Sequence, residues 1–208
     1  MRNQTIYSFA YITNCMVKAL VIVAHPDDET IWMGGKILHE KDWEWTILSL
    51  SRKDDSDRKP KFFKVCKELN ARAFISDIDD ENTEEPLSSL DEVVKRVEPI
   101  AMDKHFDVVY THNSNGEYGH RRHIETHKGI VKMAEQGLIN CKELFVFDYE
   151  ARDDPFRAVP NANAELVFEL NSAEFEKKKY LINRVYDFDK DVFEYISLSD
   201  KETFKKVL

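Results

Sequence analysis

The chain has 208 residues and a net charge of −9, with 33% charged and 42% hydrophobic residues, which is enough apolar material for one soluble α/β domain. The acidic balance argues against nucleic acid or an anionic membrane surface as the main partner, and no apolar run approaches the roughly 20 residues of a membrane span. Cys15, Cys66 and Cys141 lack CxxC spacing; this excludes a disulfide frame or a cysteine zinc site and fits a reducing compartment, so a cytoplasmic location is expected.

Residues 1–16 read as an N-terminal extension, dispensable or an upstream start-site artefact, and 17–208 as a single domain. The run Val21-Ile22-Val23-Ala24 reads as a buried parallel strand, apolar on both faces. Pro26 cannot extend a ladder, so the strand is expected to end at His25. Ile31 to Glu40 should be helical despite Gly34-Gly35, a pair that either packs the helix close to the sheet or opens an approach for a ligand. Glu44 to Ser51 is a second strand, followed by a charged loop from Arg52 to Lys61. Phe62, Phe63, Val65, Cys66 and Leu69 mark an amphipathic helix.

Ala71 to Ile75 is a third strand, Asp77 to Ser89 an acidic loop, and Leu90, Val93, Val94, Val97 and Ile100 have helical spacing. Phe106 to Thr111, Glu143 to Asp148 and Glu165 to Leu170 supply three more strands. Ser172 is the expected cap of a final long helix running to about Asp187, and a short amphipathic tail closes the chain. Strands alternating with helices predict an α/β, Rossmann-like fold with a mostly parallel sheet flanked by helices. The later strands could extend it antiparallel.

The first strand runs into His25-Pro26-Asp27-Asp28-Glu29 at its carboxyl end, where open α/β sheets bind ligands. Three adjacent carboxylates repel one another, and a cation removes that cost. His25 and Asp28, three apart around a turn, can converge on one ion, leaving Asp27 free to hold a water. The glycine fingerprint of dinucleotide binding is missing from this turn, and its carboxylates would repel a phosphate. A second cluster, His120, His123 and His127, follows the fourth strand, which ends at the same sheet edge. Four of the six glycines (Gly34, Gly35, Gly116, Gly119) flank the two clusters. A catalytic zinc takes three N or O ligands and keeps one position open. His25, Asp28 and one histidine of the second cluster supply that set, Asp27 a general base, and a remaining histidine an oxyanion or leaving-group partner. That arrangement suits amide hydrolysis.

Ala24-His25-Pro26-Asp27-Asp28-Glu29 resembles the A-H-P-D-D-E signature of the PIG-L/LmbE-like zinc de-N-acetylases, and Gly116-Glu117-Tyr118-Gly119-His120-Arg121-Arg122-His123 resembles their G-E-Y-G-H-x-x-H motif. The resemblance implies an LmbE-like fold, zinc held by His25, Asp28 and His123, and Asp27 as the base. It implies a charged His120 aimed at the oxyanion, and removal of an N-acetyl group from an N-acetylglucosamine-type amino sugar. Iron(II) suits the same ligands. Arg58 is the matching candidate for a sugar-hydroxyl contact, and Tyr118 and His112 are candidates to reach the cleft. Three features depart from the family pattern: Lys53-Asp54-Asp55 replaces the usual Gly-Glu, Pro60 and Lys61 follow Arg58 where acidic residues are usual, and Arg121-Arg122 replaces Pro-Asp between the histidines. The two added arginines either favour an anionic substrate or point to solvent. An amidase on another N-acyl substrate, such as a thiol conjugate, and a non-catalytic metal- or sugar-binding module are the rival readings. A homo-oligomer is compatible with each of them.

Overall fold

The apolar run forms strand β1, Lys18–Val23, in which Ala19 to Val23 are wholly buried. The structure is a computed structural model that describes residues 16–83 and 85–208, so the predicted extension lies outside the described residues except for Met16. Strands β2 (Glu44–Ser51), β3 (Arg72–Ile78), β4 (His105–Thr111) and β5 (Asn140–Phe147) join β1 in a parallel sheet ordered β3-β2-β1-β4-β5. The chain order reverses between β1 and β4, and a crevice therefore opens at their carboxyl ends. Helices α1 (Asp28–His39) and α2 (Arg58–Glu68) cover one face, over Val21, Val23 and Ile47. Helices α3 (Asp91–Ala101) and α5 (Arg121–Glu135) cover the other, over Leu20, Ile22 and Val109. The short α4 (Gly116–Gly119) precedes α5. Each such aliphatic side chain contributes about 1.5–3 kcal/mol on burial.

After β5 the chain makes the hairpin β6 (Tyr149–Asp153) and β7 (Phe156–Pro160), which forms a separate two-stranded sheet. Strand β8 (Leu166–Glu169) follows, and β9 (Lys201–Lys206) lies between β5 and β8, antiparallel to both. The antiparallel extension is present, and the expected tail is itself a strand. The hairpin was not predicted. The last long helix is α6 (Ser172–Tyr180), continued by a π-helical turn at Leu181–Val185, with α7 (Phe193–Ile196) beyond. Its cap is Asn171 rather than Ser172, because the Asn171 carboxamide accepts from Ala173 and Glu174 N–H, and Glu174 returns the bond to the Asn171 N–H. No helix among the described residues is long and apolar enough to cross a membrane.

Helix α1 is broken at Met33 (φ −150°, ψ 16°). The break frees the N–H groups of Gly35 and Lys36, which donate to Glu202 Oε1 and Oε2 at 2.7 and 2.8 Å. The carbonyl of Trp32 instead accepts from the Tyr149 hydroxyl at 2.9 Å. Two N–H groups and one carbonyl released by the kink thus have partners elsewhere in the fold. Lys178 Nζ, 2.6 Å from Glu202 Oε1, balances the buried charge. The glycine pair serves close packing: a Cβ on Gly35 would lie 2.2 Å from Leu170 Cδ2. Gly35→Ala is expected to cost about 1–3 kcal/mol through overpacking, more than the roughly 1 kcal/mol alanine gains in a helix. A urea midpoint at or above that of wild type would refute this.

Candidate active site

Asp27 stands between β1 and α1 with φ at 124°, and its carbonyl accepts the N–H groups of Thr30 and Ile31 to start the helix. This unusual backbone is pinned from beneath by Glu29. The Glu29 carboxylate accepts from the Asp27 N–H at 3.0 Å, the Thr30 hydroxyl at 2.6 Å and the Tyr186 hydroxyl at 2.8 Å. Glu29 is wholly buried and belongs to this scaffold rather than to the cleft. The turn thereby presents Asp27 and Asp28 in different directions.

His25 Nδ1, Asp28 Oδ2 and His123 Nε2 converge. The separations are 3.2 Å from His25 to Asp28, 3.1 Å from His25 to His123 and 3.4 Å from His123 to Asp28. Three tetrahedral ligands about 2.0–2.1 Å from a zinc ion lie roughly 3.3 Å from one another. The outer partners decide the chemistry of the facing atoms. His25 Nε2 is 2.8 Å from Asp80 Oδ1, and His123 Nδ1 is 2.6 Å from Glu117 Oε2. A carboxylate only accepts, so those ring nitrogens carry the protons and the two nitrogens facing inward carry lone pairs. Asp28 is fixed by the Trp32 indole N–H on Oδ1 at 2.9 Å and the His25 N–H on Oδ2 at 2.8 Å. Three acceptors face one another and need a cation at their centre. Without a metal that cation is a proton: burial opposes it, but Asp28 and Asp80 hold the His25 pKa up at about 10. A metal ion entering the triangle near neutrality would displace this proton.

His112 sits behind the cluster. It is wholly buried, its Nε2 accepts from the Ala24 N–H at 2.9 Å, and its Nδ1 lies 2.8 Å from Glu117 Oε2. The expectation that it reaches the cleft is therefore corrected: both ring nitrogens are taken up inside the protein. Glu117, with φ at 58°, holds His112 and His123 together. Burial alone would raise its carboxyl, but the two histidines outweigh burial and lower it to about 2.

A cavity of about 360 Å³ opens in front of the triangle, lined by His25, Asp27, Asp28, Arg52, Asp55, Arg58, Asp80, Tyr118, His120, Phe193 and Glu194 among others. Arg58 begins α2, stacks over the Phe188 ring at 4.2 Å, and donates Nη1 to Asp27 Oδ2 at 2.6 Å. The departure at 53–55 has a local use, since Asp55 Oδ1 accepts the N–H groups of Asp57 and Arg58 and so starts α2. Burial and Asp28 push the Asp27 carboxyl well above the usual range, and Arg58 opposes them. The His120 ring is 4.7 Å from both the His25 and the His123 rings. Its Nδ1 is buried with no hydrogen-bond partner among the described residues. Burial and the neighbouring histidines lower its pKa to about 3, so the ring is neutral at rest and not charged as the resemblance implied. Tyr118 packs on Phe193 at 4.3 Å and walls one side.

Sequence reasoning missed Asp80, Glu117, Arg52, Phe193 and Glu194 as parts of this site. The position of Asp80, just past a third parallel strand at the same sheet edge, was the available signal. Arg121 and Arg122 do not line the cavity and bond the loop after β3 instead.

Residues 20–134 match the family model described as PIG-L, GlcNAc-PI de-N-acetylase. The chain belongs to the PIG-L family. A 27% identical relative, the uncharacterized protein L374 of Acanthamoeba polyphaga mimivirus, aligns over 146 residues, 64% of this chain and 62% of that protein. The aligned stretch thus spans less than two thirds of the length of that curated relative. Among solved structures, this PIG-L chain is similar to the N,N'-diacetylchitobiose deacetylase from Pyrococcus horikoshii (TM-score 0.65, 18% identity, 91% of this chain and 83% of that one). It is also similar to the 4-carboxy-2-hydroxymuconate hydratase GalB from Pseudomonas putida KT2440 (TM-score 0.60, 14% identity, 93% and 97%). Both likenesses establish the fold, and the second shows that the fold alone does not select the reaction.

Proposed function

We propose that this PIG-L family member is a metal-dependent N-deacetylase acting on an N-acetylglucosamine-type substrate, with zinc held by His25, Asp28 and His123. The observation that carries the reading is the triangle of inward-facing lone pairs beside the Asp27 carboxylate. Zinc bound there supplies a Lewis acid that acidifies water and polarises an amide carbonyl, and iron(II) suits the same donors.

Asp27 takes the proton of the attacking water. A carboxyl raised above the usual carboxylate range is a more effective base than an ordinary one, and the Arg58 guanidinium bonded to it favours its ionised form. His120, a neutral ring at the cavity wall, stabilises the developing oxyanion by a hydrogen bond. When the C–N bond breaks, the protonated Asp27 returns its proton to the departing amine, giving acetate and a free amino sugar. Tyr118 and Phe193 supply an apolar wall for the sugar ring, and Arg58 and Glu194 supply polar contacts. A non-catalytic binding module has no need of a raised carboxylate turned into the cavity beside the triangle.

The test is release of acetate from N-acetylglucosamine, N,N'-diacetylchitobiose and N-acetylglucosaminyl conjugates, beside release of larger acyl groups from the same amines. Turnover restricted to the larger acyl groups would replace this reading with that of another amidase. Arg58 gives a second expected outcome. Its positive charge favours the ionised Asp27, so Arg58→Met raises the Asp27 pKa further. The acid limb of the kcat/KM profile then moves to higher pH. An unmoved limb would mean that Asp27 is not the group titrating there.

A further inference from the structure

Arg122 is the neighbour of His123, yet it is 3% exposed and its side chain turns away from the cavity. Its Nε donates to the Asp79 carbonyl at 2.6 Å. Its Nη1 donates to the Glu85 carbonyl at 3.1 Å and to Glu125 Oε2 at 2.6 Å, and its Nη2 to the Asn82 carbonyl at 3.1 Å. One guanidinium thus gathers three carbonyls of the connection between β3 and α3. Glu125 Oε1 holds the far side of the same loop through the Leu87 N–H at 2.8 Å, and Arg121 Nε donates to the Thr83 carbonyl at 2.9 Å. A rigid fork with five donors can span such a set, and an ammonium cannot.

The loop so gathered carries Asp80, whose peptide nitrogen is bonded to the Asp79 carbonyl carbon. Asp80 Oδ1 lies 2.8 Å from His25 Nε2, and its Oδ2 accepts from Arg52 Nη2 at 2.6 Å. Asp80 therefore fixes which nitrogen of His25 is protonated and which way the ring faces. Helix α5 thus reaches the site twice, through His123 directly and through Arg122 by way of the loop and Asp80. We infer that Arg122 is a positioning residue: it sets the 79–85 loop so that Asp80 holds His25 with Nδ1 toward the cation. This inference rests on the metal reading proposed above.

The zinc dissociation constant, measured on the full chain by competition with a chromophoric chelator, tests it without recourse to activity. Asp80→Ala is expected to weaken zinc by about 10–100-fold, the usual scale for losing an outer partner of a ligand histidine. Arg122→Met combined with Glu125→Gln, which leaves no buried charge unpaired, is expected to weaken zinc by about tenfold. Adding Asp80→Ala to that pair should weaken it no further than Asp80→Ala alone, because both act through one group. Arg122→Lys keeps Glu125 paired and carries the same comparison if the first combination does not fold. Wild-type zinc affinity in the Arg122 variants, or losses that multiply with Asp80→Ala, would overturn the inference and leave the metal reading standing. No zinc bound by the wild type would overturn both.

Discussion

Asp27→Asn is expected to lower kcat for acetate release by about 10²–10⁴, the range supplied by a positioned general base, with bound metal and KM little changed. The substitution keeps the shape and the oxygen that accepts from Arg58, and asparagine tolerates positive φ better than most residues. The metal should stay because the facing atoms belong to His25, Asp28 and His123. Asp27 is adjacent in sequence but is turned into the cavity by its own backbone at φ 124°. Asp28→Asn makes the contrast, since it removes charge from the triangle itself and should release the metal. If Asp27→Asn turns over within a few fold of wild type, Asp27 does not move the proton.

The second large effect is on stability. Lys178 and Glu202 are each 0% exposed, and the Glu202 carboxylate also accepts two backbone N–H groups at the break in α1. Lys178→Met leaves that carboxylate buried without its cation, a change expected to cost about 3–5 kcal/mol. For a chain of this size the thermal midpoint should fall by about 10 °C. Adding Glu202→Gln should recover part of the loss and not all of it. The amide has one oxygen, and Gly35 and Lys36 N–H use two. A Lys178→Met protein as stable as wild type would show that the pair contributes nothing beyond its packing. The ion pair is part of the site's support, because α1 carries Asp28 at its first turn and Trp32 one turn later.

The parts of this account legible in the sequence are those whose chemistry is local. Val21-Ile22-Val23 followed by His25-Pro26-Asp27-Asp28 gives strand, turn and helix start within one short stretch. Gly116 and Gly119 do adopt positive φ. What stayed hidden joins residues far apart in the chain. Asp80 meets His25 across 55 positions and Glu202 meets Gly35 across 167. No spacing rule relates such pairs. Strand β9, Lys-Glu-Thr-Phe-Lys-Lys, reads as a short amphipathic tail and not as a sheet strand, because its inward Glu202 serves a helix break and not solvent. The β6–β7 hairpin lacks clean alternation, since Tyr-Glu-Ala-Arg-Asp and Phe-Arg-Ala-Val-Pro fully bury only Tyr149 and Ala158. Arg121-Arg122 looked like charge offered to a substrate or to solvent, and only the fold shows the β3–α3 loop that claims both side chains.

The most direct test of the central claim is metal content per chain, measured together with the ligand set by X-ray absorption on zinc-loaded protein, for wild type, His25→Ala and His123→Ala. One zinc per wild-type chain, bound by two imidazoles and a carboxylate with a remaining light-atom ligand, and lost from both variants, is the predicted result. A wild-type chain that binds no metal, or variants that keep it in an unchanged environment, would contradict the account.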